Sequence, residues 1–197
     1  MQDWLDQHAD ITALRLAVAD LNGQARGKRM PRQFSGKVFD GGTRLPFSTL
    51  NVDLLGQDID DSPLVFDSGD ADGLLVPTER GFIPMPWLDT PTAMLPMGMF
   101  LPDNTAFDGD PRHALHRVLE RYTQHHLTPV SAIEMEFYLI DTSGPAPQIP
   151  CVPGTADRHA VPDTLSISAL DDFDGFLTDL YAACKAMDIP ADAAISE

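Results

Sequence analysis

The prolines and glycines concentrated between residues 40 and 110 restrict the fold of this chain more than any other feature. Prolines at positions 84, 86, 91 and 96 interrupt any long helix there, because proline lacks an amide donor and clashes with the preceding helical turn. Short apolar runs stand between the breaks, at residues 47–55, 73–76 and 92–100. The sequence therefore predicts short strands separated by turns.

A β-hairpin is predicted ahead of this region, after a short helical turn at residues 1–8. Residues 13–20 show the period of a strand with one buried face. The alternating apolar side chains are Leu14, Leu16 and Val18. Asn22-Gly23 is typical of a tight hairpin turn, so residues 24–30 are predicted to form the return strand.

The pattern changes near residue 108, where helical signals begin. Asp110 is a suitable N-cap and Pro111 occupies the favoured first helical position, which predicts a helix to about residue 126. A strand over 130–140, a second helix over 170–187 and a further strand from 193 follow. This order indicates an α+β chain of two domains, residues 1–105 and 106–197.

Composition excludes several classes of function. The formal net charge of −17 repels nucleic acid and anionic membranes, so neither is expected as a partner. No apolar run approaches the ~20 residues of a membrane span, and the acidic N-terminus does not resemble a signal peptide. Cys151 and Cys184 lack the spacing of a disulfide framework or a zinc site, and a cytoplasmic location is expected.

Two glutamates stand two residues apart in the predicted strand at 130–140. Residues i and i+2 of a strand share a face, about 6–7 Å apart, so Glu134 and Glu136 would project side by side. Paired carboxylates favour a hard divalent cation such as Mg²⁺ or Mn²⁺. The same spacing also fits the solvent face of a half-exposed strand, and the pair alone does not choose between the two.

Short motifs along nearly the whole chain resemble, in order, those of the glutamine synthetase family. The hairpin motif D-x-x-G-x-x-R-G-K matches Asp20 to Lys28. The other matching segments are Val76-Pro77-Thr78 with Met85-Pro86-Trp87, Phe107 to Arg112, Glu134 to Phe137, and Ile189 to Glu197. The short head and residues 27–31 are most similar to the γ-glutamylpolyamine (γ-glutamylputrescine) synthetase branch.

The resemblance implies a β-grasp-like N-terminal domain over residues 1–105. Residues 106–197 would be the first part of a glutamine-synthetase-type α/β catalytic domain, which is incomplete here. The implied activity is ATP-dependent ligation of the γ-carboxylate of glutamate to an amine or ammonia through a γ-glutamyl phosphate. The implied cofactors are ATP and Mg²⁺ or Mn²⁺.

The resemblance also assigns site residues. The family's metal ligands match Glu134, Glu136 and Glu197, and an acidic residue that holds the amine or ammonium matches Asp40. A plain turn before two glycines is the competing interpretation of Asp40. The family's remaining metal ligands and phosphate-binding arginines have no counterpart up to Glu197, so the 197-residue chain alone is expected to be inactive. The intact protein is expected to form a homo-oligomeric ring.

Two other functions fit parts of the sequence. A short, non-catalytic relative could act as a binding or oligomerisation module. Residues 68–79 imitate a calcium-binding EF-hand loop, although Ser68 and Pro77 depart from its pattern. A plain acidic turn is the alternative for that segment.

Overall fold

The computed structural model describes residues 1–158 and 163–196. The chain divides into two compact units, Met1–Val130 and Ser131–Glu197. The first unit contains a mixed sheet with these strands: β1 (Ala13–Ala19), β2 (Ala25–Pro31), β3 (Arg44–Pro46), β4 (Asp72–Pro77), β5 (Ile83–Pro84) and β6 (Thr92–Phe100). Its helices are α1 (Gln2–Gln7), α2 (Gly36–Phe39) and α3 (Pro111–Gln124). None of the described helices has both the length and the apolar character that crossing a membrane would need.

The sheet has the strand order β2-β1-β6-β4-β3, with β5 paired to β6. Strands β1 and β6 are parallel, and every other pair of named strands is antiparallel. The predicted hairpin is confirmed, because β1 and β2 pair from Ala13–Pro31 to Ala19–Ala25 around the Asn22-Gly23 turn. The prediction of short strands between residues 40 and 110 is confirmed as well.

The core lies on one face of this sheet. The alternation predicted for β1 is confirmed, since Leu14, Leu16 and Val18 are almost fully buried. Side chains of the two central strands pack there against side chains from helices and loops. The resulting hydrophobic cluster includes Leu5, Val38, Phe47, Leu75, Leu95, Met97 and Met99. Burial of such apolar side chains supplies most of the stability of a unit of this size.

The two edge strands of the sheet approach each other. Lys28 of β2 donates a hydrogen bond from Nζ to the carbonyl oxygen of Arg44 of β3, with 2.6 Å between nitrogen and oxygen. Strands β2 and β3 stand at opposite ends of the strand order, so this contact requires a strongly curled sheet. Curling protects edge strands that would otherwise expose unpaired backbone groups.

The second unit is formed by α4 (Ile167–Asp171), α5 (Asp174–Ala186) and irregular segments. Two short helices replace the single helix predicted over 170–187. Ser166 begins α4 as its N-cap, and the chain turns at residues 172–173 before α5. The side chains of Phe137 and Phe176 meet edge to face with ring centres 5.9 Å apart.

The strands predicted over 130–140 and from residue 193 are wrong for the described residues. Neither segment has a hydrogen-bonded neighbouring strand there. A strand is stabilised by its partners across the ladder, and the described part of this unit supplies none. Ile133 and Tyr138 are 88% and 93% exposed. Among the described residues, every apolar side chain that counts as buried lies in the first unit.

A polar clip closes the loop between residues 141 and 158. The main chains of Asp141 and Gln148 exchange two hydrogen bonds, and Arg158 contacts the Asp141 carboxylate at 3.1 Å. Hydrogen bonds from the hydroxyl and backbone N–H of Ser143, and then from Arg158, lower the pKa of Asp141 to about 2. The ionised carboxylate is therefore the form that holds this loop.

This clip is expected to be sensitive only to strong acid. Because the folded pKa of Asp141 is lowered, its contribution is complete above the ordinary value of about 3.9 and disappears as the pH falls through about 2. A carbon-detected NMR titration should show the Asp141 carboxylate still ionised at about pH 3. Arg158→Ala should raise the midpoint and Arg121→Ala should not, whereas a wild-type midpoint near 4 would contradict the clip.

Candidate functional site

The hairpin motif at residues 20–28 centres on a buried carboxylate. Asp20 Oδ1 accepts the backbone N–H groups of Asn22 and Gln24, each at 2.8 Å. Its Oδ2 accepts Arg26 Nε at 2.8 Å, while the Asp20 side chain is 0% exposed. Burial tends to raise the pKa of Asp20, but the bonds from Arg26, Gln24 and Asn22 outweigh it and hold the pKa below its ordinary value. The motif therefore fixes the turn of the hairpin.

The two glycines of the motif are required for different structural reasons. Gly23 adopts a φ of +75° in the turn, a conformation that glycine reaches without steric cost. Gly27 lies so close to β1 that an added Cβ would stand 1.7 Å from the Leu16 carbonyl oxygen. A side chain at either position would disturb the pairing that surrounds Asp20.

The start of α3 is tied to the end of β6. Asp110, which is 1% exposed, caps the helix by accepting the N–H of Arg112 with Oδ1. Its Oδ2 accepts the N–H of Met99 in β6 at 2.8 Å. His113 lies within 2.9 Å of the Met99 carbonyl oxygen through Nε2. The N-cap predicted from the sequence is confirmed, and the bond to β6 is an additional role.

An open groove of about 380 Å³ brings two of the family-like motifs together. Leu21 from the hairpin tip lines one part, and the segment from Phe107 to Pro111 lines another. Its walls are mainly apolar, with Asn51 and Asp108 among the polar exceptions. The groove therefore brings the two motifs together, but few polar groups line it that could bind a ligand or take part in catalysis.

The predicted metal ligands are not assembled among the described residues. Glu134 and Glu136 are both exposed, and neither has an ion pair or side-chain hydrogen bond within the described residues. Glu197 lies outside the described residues. No group of three or more His, Cys, Asp or Glu side chains suited to a metal ion occurs in residues 1–158 and 163–196. The two carboxylates offer free oxygen donors of the kind that Mg²⁺ and Mn²⁺ prefer.

Asp40 follows the short helix α2 on the surface. Its backbone N–H bonds to the carbonyl oxygen of Gly36 at 2.9 Å, which makes it the C-cap residue. Gly41 then takes a φ of +70°, as expected where a helix ends in a left-handed residue. The Asp40 side chain is exposed, and it remains available to a ligand.

The calcium-loop alternative is wrong. Asp72–Pro77 forms strand β4 in the middle of the segment, and β4 pairs with both β3 and β6. An EF-hand loop would need those residues to wrap around the ion between two helices. Asp70 instead accepts a hydrogen bond from Ser48 Oγ at 2.6 Å, which fits a structural acidic turn.

Residues 108–197 match the family model of the glutamine synthetase catalytic domain. The chain is also 32% identical to γ-glutamylputrescine synthetase PuuA of Escherichia coli K12 over 98% of its own length and 42% of that protein. The resemblance to the glutamine synthetase family and its γ-glutamylpolyamine branch is thereby confirmed.

Solved structures of glutamine synthetase relatives share this fold. A glutamine synthase homologue superimposes with a TM-score of 0.69 at 16% identity, over 95% of this chain and 41% of that one. The ADP complex of GmaS gives 0.65 at 21% identity, over 92% and 38%. The chain spans about two fifths of the length of these relatives.

Sequence reasoning missed the ion pair between Asp20 and Arg26. The signal was present, because an acidic residue directly after an apolar strand stands six positions before an arginine across an Asn-Gly turn. A tight turn between two antiparallel strands folds such residues towards each other. The bond from Asp110 to Met99 had no local signal, since it joins residues 11 positions apart in two different elements.

Proposed function

We propose that the intact protein is an ATP-dependent ligase that joins the γ-carboxylate of glutamate to an amine or ammonia. The observation that carries the proposal is the 32% identity to a γ-glutamylputrescine synthetase along 98% of this chain. The family match over residues 108–197 supports it. In this proposal the chain supplies the head and the first part of the catalytic domain.

The proposed reaction has two steps. The γ-phosphoryl group of ATP moves to the γ-carboxylate of glutamate, which leaves ADP and a γ-glutamyl phosphate. The amine nitrogen then attacks the acyl carbon, the bond from that carbon to the phosphate oxygen breaks, and phosphate and a proton are released. The GmaS relative was solved with ADP, which is consistent with the nucleotide expected here.

The cofactor fit rests on the free carboxylates of Glu134 and Glu136. Both are exposed and uncommitted within the described residues, and we propose them, with Glu197, as ligands of Mg²⁺ or Mn²⁺. When bound, the cation supplies positive charge for the phosphoryl oxygens. The exposed carboxylate of Asp40 is proposed to attract the positively charged amine or ammonium, which raises its local concentration.

We also propose a fold for the two parts of the chain. Parallel β1 and β6 at the centre of the sheet, with the hairpin partner β2 outside them, support a β-grasp-like head over residues 1–105. The exposed apolar side chains near residues 133–140 and the unpaired segment there support catalytic-domain strands supplied by sequence that the relatives have and this chain lacks. A homo-oligomeric ring and a cytoplasmic location complete the proposal.

The function is tested with the full-length protein that contains this chain. ADP release should require glutamate, an amine or ammonia, and Mg²⁺ or Mn²⁺. The isolated 197-residue chain should release none. Absence of turnover by the full-length protein with putrescine, isopropylamine and ammonia would reject the ligase and favour a non-catalytic binding or oligomerisation module.

The metal assignment has its own test. Glu136→Gln in the full-length protein is expected to weaken Mn²⁺ binding, followed by electron paramagnetic resonance, by at least about tenfold, because a charged oxygen ligand is lost. Glu120→Gln is the matched control, since Glu120 is an exposed glutamate on α3. Equal Mn²⁺ affinity in the two variants would contradict the assignment even if the ligase activity stands.

A further inference from the structure

Asn22-Gly23 is a chemically labile dipeptide as well as a hairpin turn. The chain contains three asparagines, at positions 22, 51 and 104, and only Asn22 precedes a glycine. Glycine has no Cβ to obstruct the approach of its own backbone nitrogen, so the Gly23 nitrogen can reach the side-chain carbonyl carbon of Asn22. Such an attack expels ammonia and closes a cyclic succinimide. Both residues are exposed, so water has access to the ring.

The folded hairpin engages both nitrogens that take part in this reaction. The Gly23 N–H donates to the carbonyl oxygen of Asp20 at 3.1 Å, and the attacking nitrogen must lose that proton. The Asn22 Nδ2 group, which would leave as ammonia, donates to the carbonyl oxygens of Val52 and Asp53 at 3.0 and 3.2 Å. Expelling ammonia breaks both of these bonds, so the reaction is coupled to release of the side chain from residues 52–53.

The two acceptors belong to a loop, residues 52–58, that keeps its shape through its own hydrogen bonds. Asp53 Oδ1 accepts the N–H groups of Leu55 and Gln57, each at 2.8 Å, and the main chains of Asp53 and Gln57 are bonded at 2.9 Å. Its tip is uncovered, since Leu54 and Leu55 are each 84% exposed. A self-contained surface loop is the kind of segment that opens locally while the rest of a protein stays folded.

The products of the reaction do not fit the folded contact. One water molecule opens the succinimide to aspartate or isoaspartate, so that overall a side-chain amide and water become a carboxylate and ammonium. A carboxylate has no N–H to donate, and at position 22 it would face the carbonyl oxygens of Val52 and Asp53. Isoaspartate also inserts Cβ into the main chain, which would shift the N–H of Gln24 away from Asp20 Oδ1.

We propose that Asn22 is a deamidation site guarded by the loop of residues 52–58. While the loop is docked, its carbonyl oxygens hold the side-chain amide and suppress the reaction. When the loop detaches, the Gly23 nitrogen attacks, and the resulting aspartate or isoaspartate prevents the loop from docking again. The site thus converts a reversible opening into a permanent one. This modification concerns the first unit alone and does not depend on ligase chemistry.

Peptide mass spectrometry of the full chain during incubation at mildly alkaline pH tests the site. In guanidinium chloride, Asn22 should deamidate faster than Asn104, because the side chain of Thr105 hinders attack there. In the native chain, deamidation of Asn22 should be at least about tenfold slower than in guanidinium chloride, because two hydrogen bonds must break first. Equal native and denatured rates would overturn the guard, and equal denatured rates for Asn22 and Asn104 would overturn the site.

Asp53→Ala separates the effect of the loop from that of the hairpin. It removes the acceptor of Leu55 and Gln57, so the native rate of deamidation at Asn22 should rise at least about fivefold. Asp60→Ala is the matched control, because Asp60 is an exposed aspartate just beyond the loop. Unchanged hydrogen exchange in strand β1 would show that the unit stays folded. Equal rates in the two variants would contradict the role of the loop.

Asn22→Asp reproduces the aspartate product and tests the last step. With the loop unable to dock, thermolysin, which cuts before leucine, should cleave at Leu54 or Leu55 at least about tenfold faster than in wild type. Asn104→Asp adds the same charge at another exposed turn and should leave this cleavage unchanged. Wild-type cleavage of Asn22→Asp would overturn the permanent release, even if deamidation itself is observed.

Discussion

Asp20→Ala should lower the free energy of unfolding of the first unit by about 3–5 kcal/mol, the usual cost of removing one partner from a buried ion pair. The substitution leaves Arg26 without its carboxylate and leaves the N–H groups of Asn22 and Gln24 without their acceptor. Urea denaturation followed by tryptophan fluorescence measures this, since both tryptophans, Trp4 and Trp87, lie in the first unit.

Asp20→Asn should give a smaller loss than Asp20→Ala. The amide oxygen can take the place of Oδ1 and keep both backbone hydrogen bonds, whereas its NH₂ group would face the Arg26 guanidinium, donor to donor. Asp89→Ala, at an exposed turn, is the control. If Asp20→Ala and Asp89→Ala cost the same, the buried ion pair does not stabilise the hairpin.

The Asp20 contribution should also depend on pH. Its folded pKa is lowered, because the hydrogen bonds outweigh the effect of burial. The stabilisation is therefore complete above the unfolded value of about 3.9 and is lost as the pH falls through the lower folded value. The difference in unfolding free energy between wild type and Asp20→Asn should be constant near neutral pH and shrink in acid below about pH 4.

Asp110→Ala is expected to cost about 2–4 kcal/mol. Loss of the N-cap accounts for about 1 kcal/mol, and the N–H of Met99, in a fully buried residue, would lose its acceptor at a further cost of about 1–3 kcal/mol. Asp110→Asn should recover part of this, since one amide oxygen can replace Oδ1 or Oδ2 but not both.

Hydrogen exchange separates the two contributions of Asp110. In Asp110→Ala the amide of Met99 should exchange faster relative to the amide of Leu95 in the same strand. Asp108→Ala is the matched control, because Asp108 is an exposed neighbour that pairs only with Arg117 among the described residues. Unchanged protection of Met99 would show that the bond to β6 does not hold the two elements together.

Local signals explain which elements could be predicted from the sequence. The Asn22-Gly23 turn and the Asp110-Pro111 helix start each act over a few residues, and the structure confirms both elements. The strand predicted over 130–140 depends on partners elsewhere in the chain, and the described residues provide none. Alternation of side chains alone does not form a ladder.

The same difference between local and long-range signals applies to the candidate site. The spacing of Glu134 and Glu136 identifies a pair of oxygen donors, but ligands from distant segments must meet them before a metal is held. The burial of Asp20 and Asp110 cannot be predicted from the sequence, because it depends on the elements that pack around them. The motif residues Asp20 and Asp110 thus hold the hairpin turn and the junction between β6 and α3, respectively.

The bond from Asp110 to Met99 crosses the start of the family match, so the boundary of the matched sequence and the boundary of the folded unit differ. The family match begins at residue 108, yet the compact unit continues to Val130. A head domain cut just before residue 108 would lose the acceptor for the end of its own central strand, whereas one cut after residue 130 would keep it. The helix that opens the family match is therefore fixed at its first turn to the central strand of the preceding sheet.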